Sequence, residues 1–285
     1  MLLTRLRRLG RGPSGLFAPA GAGAGALGLV PEAELGVAQA EVIEGPTTLT
    51  ARTLAAPAAS AFTGFLDGVQ RATTLGCLDH VPLVYAYGAA VIRARPGRAM
   101  ATLRGAAGGY HLEREALFVP ARLVDPCALA SLGLAGDEMH DTGPDVDEPL
   151  PLFPPLLLAR AFEAVNRWRE GLERELAERW CRAGDEGWLL VDGSLTVSSE
   201  LAECPRAVGV VKSHRTRFFD GEDARVVLGL REGERSAIFR PGTRTFTPVY
   251  SWYLRLRDPA GHGPLWGLVR VEAAATDATL AGADD

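Results

Sequence analysis

The chain has almost no lysine. Lys212 stands alone against 29 arginines among the 30 basic residues. With abundant Ala and Gly, that bias points to a GC-rich coding background, in which a surviving lysine invites attention. Cysteine is also scarce: Cys77, Cys127, Cys181 and Cys204 show no CxxC spacing. They read as buried or free thiols of a reducing compartment, not as a zinc site or a disulfide framework. No apolar run approaches the ~18 residues of a membrane span. A broadly basic surface is absent too, since the net charge is −5; this excludes a histone-like coating protein but leaves room for a local basic groove. There is no Walker A pattern, so the chain itself is not expected to use ATP. GxSxG and HExxH are missing, which argues against a serine hydrolase of that type and a zinc protease.

What is present is enough apolar residue, 47% of 285, for a real core. Residues 1 to 30 carry Arg5, Arg7, Arg8 and Arg11 and no acid, followed by a Gly/Ala tract from Gly21 to Gly28. The composition is transit-peptide-like, but a basic arm and flexible linker is the plainer reading. Residues 31 to 60 are Ala-rich and expected to be partly helical, so the first 60 residues read as an arm and linker ahead of a domain at 61–285.

The domain is organised around Gly187-Trp188-Leu189-Leu190-Val191-Asp192-Gly193-Ser194-Leu195. An apolar run ending in Asp-Gly describes a buried strand whose carboxylate emerges where the backbone leaves the core. The pattern recurs at Phe62 to Leu66 followed by Asp67-Gly68. Each copy alone is also an ordinary turn signal. Together, two such strand ends can bring two carboxylates to one sheet edge, a hard-oxygen site for a divalent cation. Ala207 to Val211 is another buried strand, and it ends in Lys212; Ser213-His214-Arg215-Thr216-Arg217 follows as a compact basic stretch.

Pro154 to Arg182 reads as a long helix. Leu158, Phe162, Val165, Leu172, Leu176 and Trp180 form its apolar stripe, and Gly184 is its stop. Glu163, Glu170 and Glu173 flank that stripe. Val81 to Gly88 and Ala89 to Arg95 read as one or two strands, and residues 136 to 151 as an acidic solvated loop. Further strands are expected at Ser236 to Phe239, Thr247 to Leu256 and Leu265 to Val271. In the second of these Tyr250, Trp252, Leu254 and Leu256 alternate with Ser251, Tyr253, Arg255 and Arg257. The class is α/β.

Asp67, Asp192 and one helical glutamate would make an acidic cluster able to hold Mg²⁺ or Mn²⁺, the ions that activate water in phosphodiester hydrolysis. Lys212 could neutralise a scissile phosphate, and His214, Arg215 and Arg217 could hold flanking phosphates.

Five stretches in series resemble the NurA nuclease domain: Phe65-Leu66-Asp67-Gly68, Leu190 to Leu195, Val208 to Ser213, Trp252 to Leu256 and Val269-Arg270-Val271-Glu272. They cover about residues 61 to 275. The resemblance implies an RNase H-like mixed sheet flanked by helices, and a cytoplasmic, Mn²⁺-dependent (or Mg²⁺-dependent) deoxyribonuclease, a 5′–3′ exonuclease and/or an endonuclease at DNA ends. It implies DNA, a HerA-type hexameric ATPase and a second copy of the chain as partners in double-strand break processing. Asp67 and Asp192 match the family's metal-binding aspartates, Lys212 its strand-end lysine, and Glu173 best matches its helical glutamate, ahead of Glu170 and Glu163. The chain departs from the pattern at Val69, where the family often has a small hydroxyl residue. It also stops at Asp285, soon after Glu272, where similar proteins continue into a helical segment; the expected domain is therefore shortened. The competing reading is an inactive RNase H-like module that binds DNA or an ATPase without cutting.

Overall fold

The computed structural model describes residues 1–11, 18–19, 36–45, 47–55, 62–105, 108–143, 149, 151–184, 187–242 and 247–282. The Gly/Ala tract lies outside them. The chain divides into two compact units. One comprises Met1–Glu32, Gly68–Ala90 and His111–Glu173; the other comprises Ala33–Asp67, Val91–Tyr110 and Arg174–Asp285.

The first unit is built on the turn end of a hairpin, residues 68 to 90. Strands Phe62–Leu78 and Val81–Ala94 are joined by Asp79 and His80, both left-handed at φ 47° and 69°. Two positive-φ residues make the turn whose twist matches that of paired strands, and Asp and His are among the side chains that tolerate it. Strand His111–Val119 lies beside the second hairpin strand, and Met139–Asp141 pairs parallel to it, with Phe118 opposite His140. Alternation sorts the side chains. Leu83, Tyr85, Leu117 and Val119 pack with Leu2 and Leu6 of helix α1 (Leu2–Arg11). Their neighbours Val84, Ala86, Ala116 and Phe118 pack with Ala161 and Val165 of helix α3 (Pro154–Ala183). Between these helices in sequence lies the short α2 (Pro126–Ser131), capped by Asp125.

The basic segment expected to be a free arm is thus a docked amphipathic helix. Its leucines enter the core, and Glu115 accepts from the Leu2 N–H at 2.6 Å, answering one of the unpaired donors of the helix start. The acidic stretch after residue 136 is likewise not simply solvated. Glu138 pairs with Arg5 and accepts from the Ala135 N–H, and Asp141 accepts from the Ala121 and Gly143 N–H groups. Residues 144–148 lie outside the described set. Helix α3 runs as its periodicity predicts, and Gly184 follows it at φ 65°. Its buried stripe is Leu157, Ala161, Val165, Leu172, Leu176 and Trp180; Phe162 is exposed, because residue 161 already holds that turn's inward position.

The second unit holds a mixed sheet. Trp188–Asp192 is parallel to residues 62–66 on one side and to Ala207–Val211 on the other. Leu268–Ala274, Val249–Arg255, Glu234–Ser236 and Ala51–Thr53 continue it antiparallel. Phe239–Pro241 pairs with Val249–Arg255 and with Ala40–Val42. The described part of residues 31 to 60, expected to be partly helical, is therefore strand and turn. Helices α4 (Ser199–Glu203), α5 (Gly221–Gly229) and α6 (Asp277–Ala281) complete the unit. Val227 of α5 packs with Leu49, Phe218, Phe239, Tyr253 and Leu268.

The strand Val249–Arg255 overturns the expected alternation. Ser251, Tyr253 and Arg255 are the inward residues, Trp252 and Leu254 are only half-buried, and Leu256 is exposed. Arg255 is wholly buried, and no described carboxylate pairs with it. Instead it donates to the carbonyls of Leu228 and Leu230 at the end of α5, and of Pro264 and Trp266. A helix end offers carbonyls without intrahelical partners and carries negative dipole, so it can hold a cation in place of an acid. Arg235, also buried, is instead met by a carboxylate: Glu44 accepts from it at 2.7 and 3.1 Å, from the Ile238 N–H at 3.0 Å, and faces Arg52.

Two outcomes follow from these arginines. Arg255→Leu should lower unfolding free energy by roughly 2–4 kcal/mol, read by urea denaturation, because buried carbonyls lose their donor. Burial pushes the Glu44 carboxyl up, but the Arg235 hydrogen bond, the Ile238 N–H and the charges of Arg235 and Arg52 outweigh it and leave it below its ordinary 4.5. A depressed carboxyl contributes stability above its unfolded value and loses it as pH falls through the folded value. The stability gap between wild type and Glu44→Gln should therefore be wide at neutral pH and close as pH drops below about 4; denaturation midpoints measured along a pH series check it.

Candidate functional site

The site grows out of the parallel register of the second unit. Leu190 lies opposite Phe65, and Val191 opposite Leu66. The next residues on these adjacent strands are Asp192 and Asp67, so the two acids stand at one level. Both are exposed. The strand holding Asp67 does not end there, as the sequence led us to expect; it runs on to Leu78. Asp67 is instead where pairing with the Asp192 strand stops, because that partner turns away at Gly193.

That turn is tightly fixed. Gly193 has φ 144°, open to glycine, and its N–H donates to the Val210 carbonyl at 3.1 Å. Its own carbonyl lies so close to Gly209 that a Cβ there would come within 2.6 Å of it. Gly209 is thus required for the chain to fold back after Asp192.

Asp192 is opposite Val210, and Lys212 lies two residues further along that neighbouring strand, on the same face. The Lys212 ammonium donates to Asp192 Oδ2 at 2.6 Å. The two side chains are 64% and 45% exposed, so this pair contributes at most about 1 kcal/mol to stability. An ion pair that weak does not hold the fold together, and it can be exchanged for other partners at little cost.

The helical glutamates separate clearly. Glu163 and Glu170 are 66% and 60% exposed, paired with Arg167 and Arg169. Glu173 is only 18% exposed, accepts from Arg169, and lies against Gly68, the residue after Asp67 in sequence. A Cβ on Gly68 would run into its carboxylate.

The basic stretch is less available than its composition implies. His214 turns inward, its Nε2 3.0 Å from the Leu268 carbonyl and its ring near Tyr253. Arg217 pairs with Asp220 at 2.9 Å. Arg215 and Arg217 are exposed; His214 is not displayed as a phosphate contact would be.

Glu272, placed by the sequence only in the last of the resembling stretches, has a role that sequence reasoning did not assign. Glu272, 1% exposed, accepts from the Ser194 hydroxyl at 2.7 Å, from the Leu195 N–H at 2.8 Å and from Arg270. It ties the loop after Asp192 to the sheet. Its signal was visible only as Arg and Glu two apart in an apolar strand, which puts both on one face.

Asp67 and Asp192 present hard carboxylate oxygens, the donors that Mg²⁺ and Mn²⁺ take, and Mg²⁺ is commonly held by one or two carboxylates with water filling the remaining positions. The two side chains thus supply donors of the type such an ion takes, and Lys212 occupies one of them, Asp192 Oδ2. Among the described residues there is no group of three His, Cys, Asp or Glu side chains placed to hold a metal. No described helix is long and apolar enough to cross a membrane. The chain matches no model of a known protein family, and no curated protein is similar to it.

Packing of Glu173 on Gly68 can be checked directly. Gly68→Ala should destabilise by roughly 1–3 kcal/mol, as overpacking does. Gly68→Ala combined with Glu173→Ala should recover most of that loss in the same denaturation assay, because the obstacle has been removed.

Proposed function

We propose that the chain is a metal-dependent DNA nuclease of NurA type, with an RNase H-like fold, hydrolysing phosphodiester bonds at DNA ends. The observation that carries this reading is that Asp67 and Asp192 directly follow the paired residues Leu66 and Val191 of adjacent parallel strands, with the only lysine of the chain bonded to the second of them. The serial resemblance of five motifs adds to it. Asp67 and Asp192 hold the Mn²⁺ or Mg²⁺, which when bound activates water and stabilises the leaving oxygen. Lys212 leaves Asp192 for the scissile phosphate, where negative charge grows in the transition state. Arg215 and Arg217 bind neighbouring phosphates without reading sequence. Glu173 is the helical carboxylate the resemblance assigns to the same chemistry. A HerA-type hexameric ATPase, a second copy of the chain, the cytoplasm and double-strand break repair belong to this proposal through the resemblance alone.

A second reading is a module that binds DNA or an ATPase without cutting. What favours it is the lack, among the described residues, of a three-ligand metal group.

Single-turnover cleavage of single- and double-stranded DNA with Mn²⁺, alongside a binding titration at fixed salt, separates the two. The nuclease reading expects wild type to cut, Asp192→Asn to lose activity, and Lys212→Met to cut about 10²–10³ times more slowly, the usual loss for one electrostatic donor. DNA affinity of Lys212→Met should fall far less, because phosphate contacts are shared among several cations. No cleavage by wild type with Mn²⁺ or Mg²⁺ sinks the reading, and unchanged cleavage in Lys212→Met makes the lysine structural.

A further inference from the structure

The second unit contains a wide-mouthed cavity, open to solvent, of about 780 Å³, whose lining includes Ser194, Thr196, Thr216, Phe218, Arg270 and Glu272. It is not the aspartate site. Arg270 lies opposite Val211 and Glu272 opposite Gly209, whereas Asp192 lies opposite Val210. Residues opposite one another share a face and successive residues alternate. Arg270 and Glu272 therefore point to the face of the sheet opposite Asp192 and Lys212.

The described polar lining is Gln39, three hydroxyl residues, one arginine and one acid. Among the described lining residues Glu272 is the only acid, and both its oxygens are occupied, one by Arg270, the other by the Ser194 hydroxyl and the Leu195 N–H. Arg270 is 11% exposed. Its Nη1 serves Glu272 and, at 3.3 Å, the Ser251 hydroxyl. A guanidinium carries five N–H donors, and no described residue accepts from its Nε or Nη2. The guanidinium carbon sits 5.0 Å from the Phe218 ring centroid, so the ring braces it from below. Ser194 and Thr196, whose hydroxyls are 2.8 Å apart, and Thr216 line the same cavity. A largely buried arginine with unused donors, held in position by a carboxylate and a ring, is built for an oxyanion. Val37, Ala38 and Phe218 supply apolar wall, and the volume suits a whole small molecule.

We propose that this cavity is a second ligand site that takes a phosphomonoester with an organic body of mononucleotide size, its phosphate held by Arg270 and the Thr196 and Thr216 hydroxyls. The site is independent of the nuclease reading, because it uses none of the residues assigned there.

The test is calorimetric titration at fixed ionic strength with a chelator present, so that no ion can carry phosphate to Asp67 and Asp192. The probes are deoxyadenosine monophosphate, deoxyadenosine and inorganic phosphate. Wild type should bind the monophosphate saturably at one site, the nucleoside without measurable heat, and inorganic phosphate at least tenfold more weakly. Removing Arg270 alone would leave Glu272 buried and unpaired. The double variant Arg270→Gln/Glu272→Gln removes both charges together and should weaken monophosphate binding at least tenfold. Thr216→Val, a second lining residue, should weaken it about threefold and keeps the test alive if the double variant fails to fold. Asp192→Asn should bind as wild type does. The proposal is overturned by any one of four results: no saturable binding to wild type, equal affinity for inorganic phosphate, binding that survives both cavity variants, or binding lost in Asp192→Asn.

Discussion

Everything at the aspartate site depends on the register of three parallel strands. Side chains alternate along a strand, so a slip of one residue would send Asp192 to the face where Glu272 lies and bury it. Here the register is held at both ends of the strand. Leu189, wholly buried, locks the core side. At the exit, Gly193 folds back over Gly209, and only a residue without a Cβ lets the two approach. The acid is thus presented to solvent by backbone constraints that involve no charge at all.

The antiparallel half of the second unit solves a different problem, that of burying arginine. Arg235 is matched by Glu44 and Arg270 by Glu272, while Arg255 is matched by carbonyls at a helix end and a loop. In each case the alternative is a buried, unsatisfied cation, whose cost exceeds what any single apolar contact returns. These three anchors also join segments far apart in sequence. Glu44 lies 191 residues from Arg235, and Glu272 reaches Ser194 across 78. Polar pairs of this kind specify which strands meet, where the apolar core specifies only that they collapse.

Much of the parallel half was legible in the sequence. Trp188–Asp192 and Ala207–Val211 announce themselves as apolar runs broken by a single charge, and α3 by a long 3.6-residue repeat stopped at Gly184. The juxtaposition of Lys212 with Asp192 followed from those strand ends. What stayed hidden has physical reasons. The hairpin strand Phe62–Leu78 alternates exposed and half-buried residues after Asp67, so its polar half resembled a loop. Helix α1 is short and strongly basic, and only its docking against Leu83 and Leu117 makes Leu2 and Leu6 core residues. Arg255 defeated the alternation rule because the carbonyls that satisfy it come from residues 228–230 and 264–266, which no local pattern links to position 255. The inward turn of His214 onto the Leu268 carbonyl is equally non-local.

The scarcity of lysine has one more consequence. Lys212 carries the only side-chain primary amine in the chain, and it stands 64% exposed beside Asp192. Acetylation, ubiquitin attachment or an amine-directed crosslinker can therefore reach no other side chain by that chemistry. An acyl group on this nitrogen would erase the charge that Asp192 faces, turning a modification elsewhere regarded as peripheral into one aimed at a single carboxylate. Arginine in place of lysine across the rest of the surface makes this chain, for such reagents, a protein with one address.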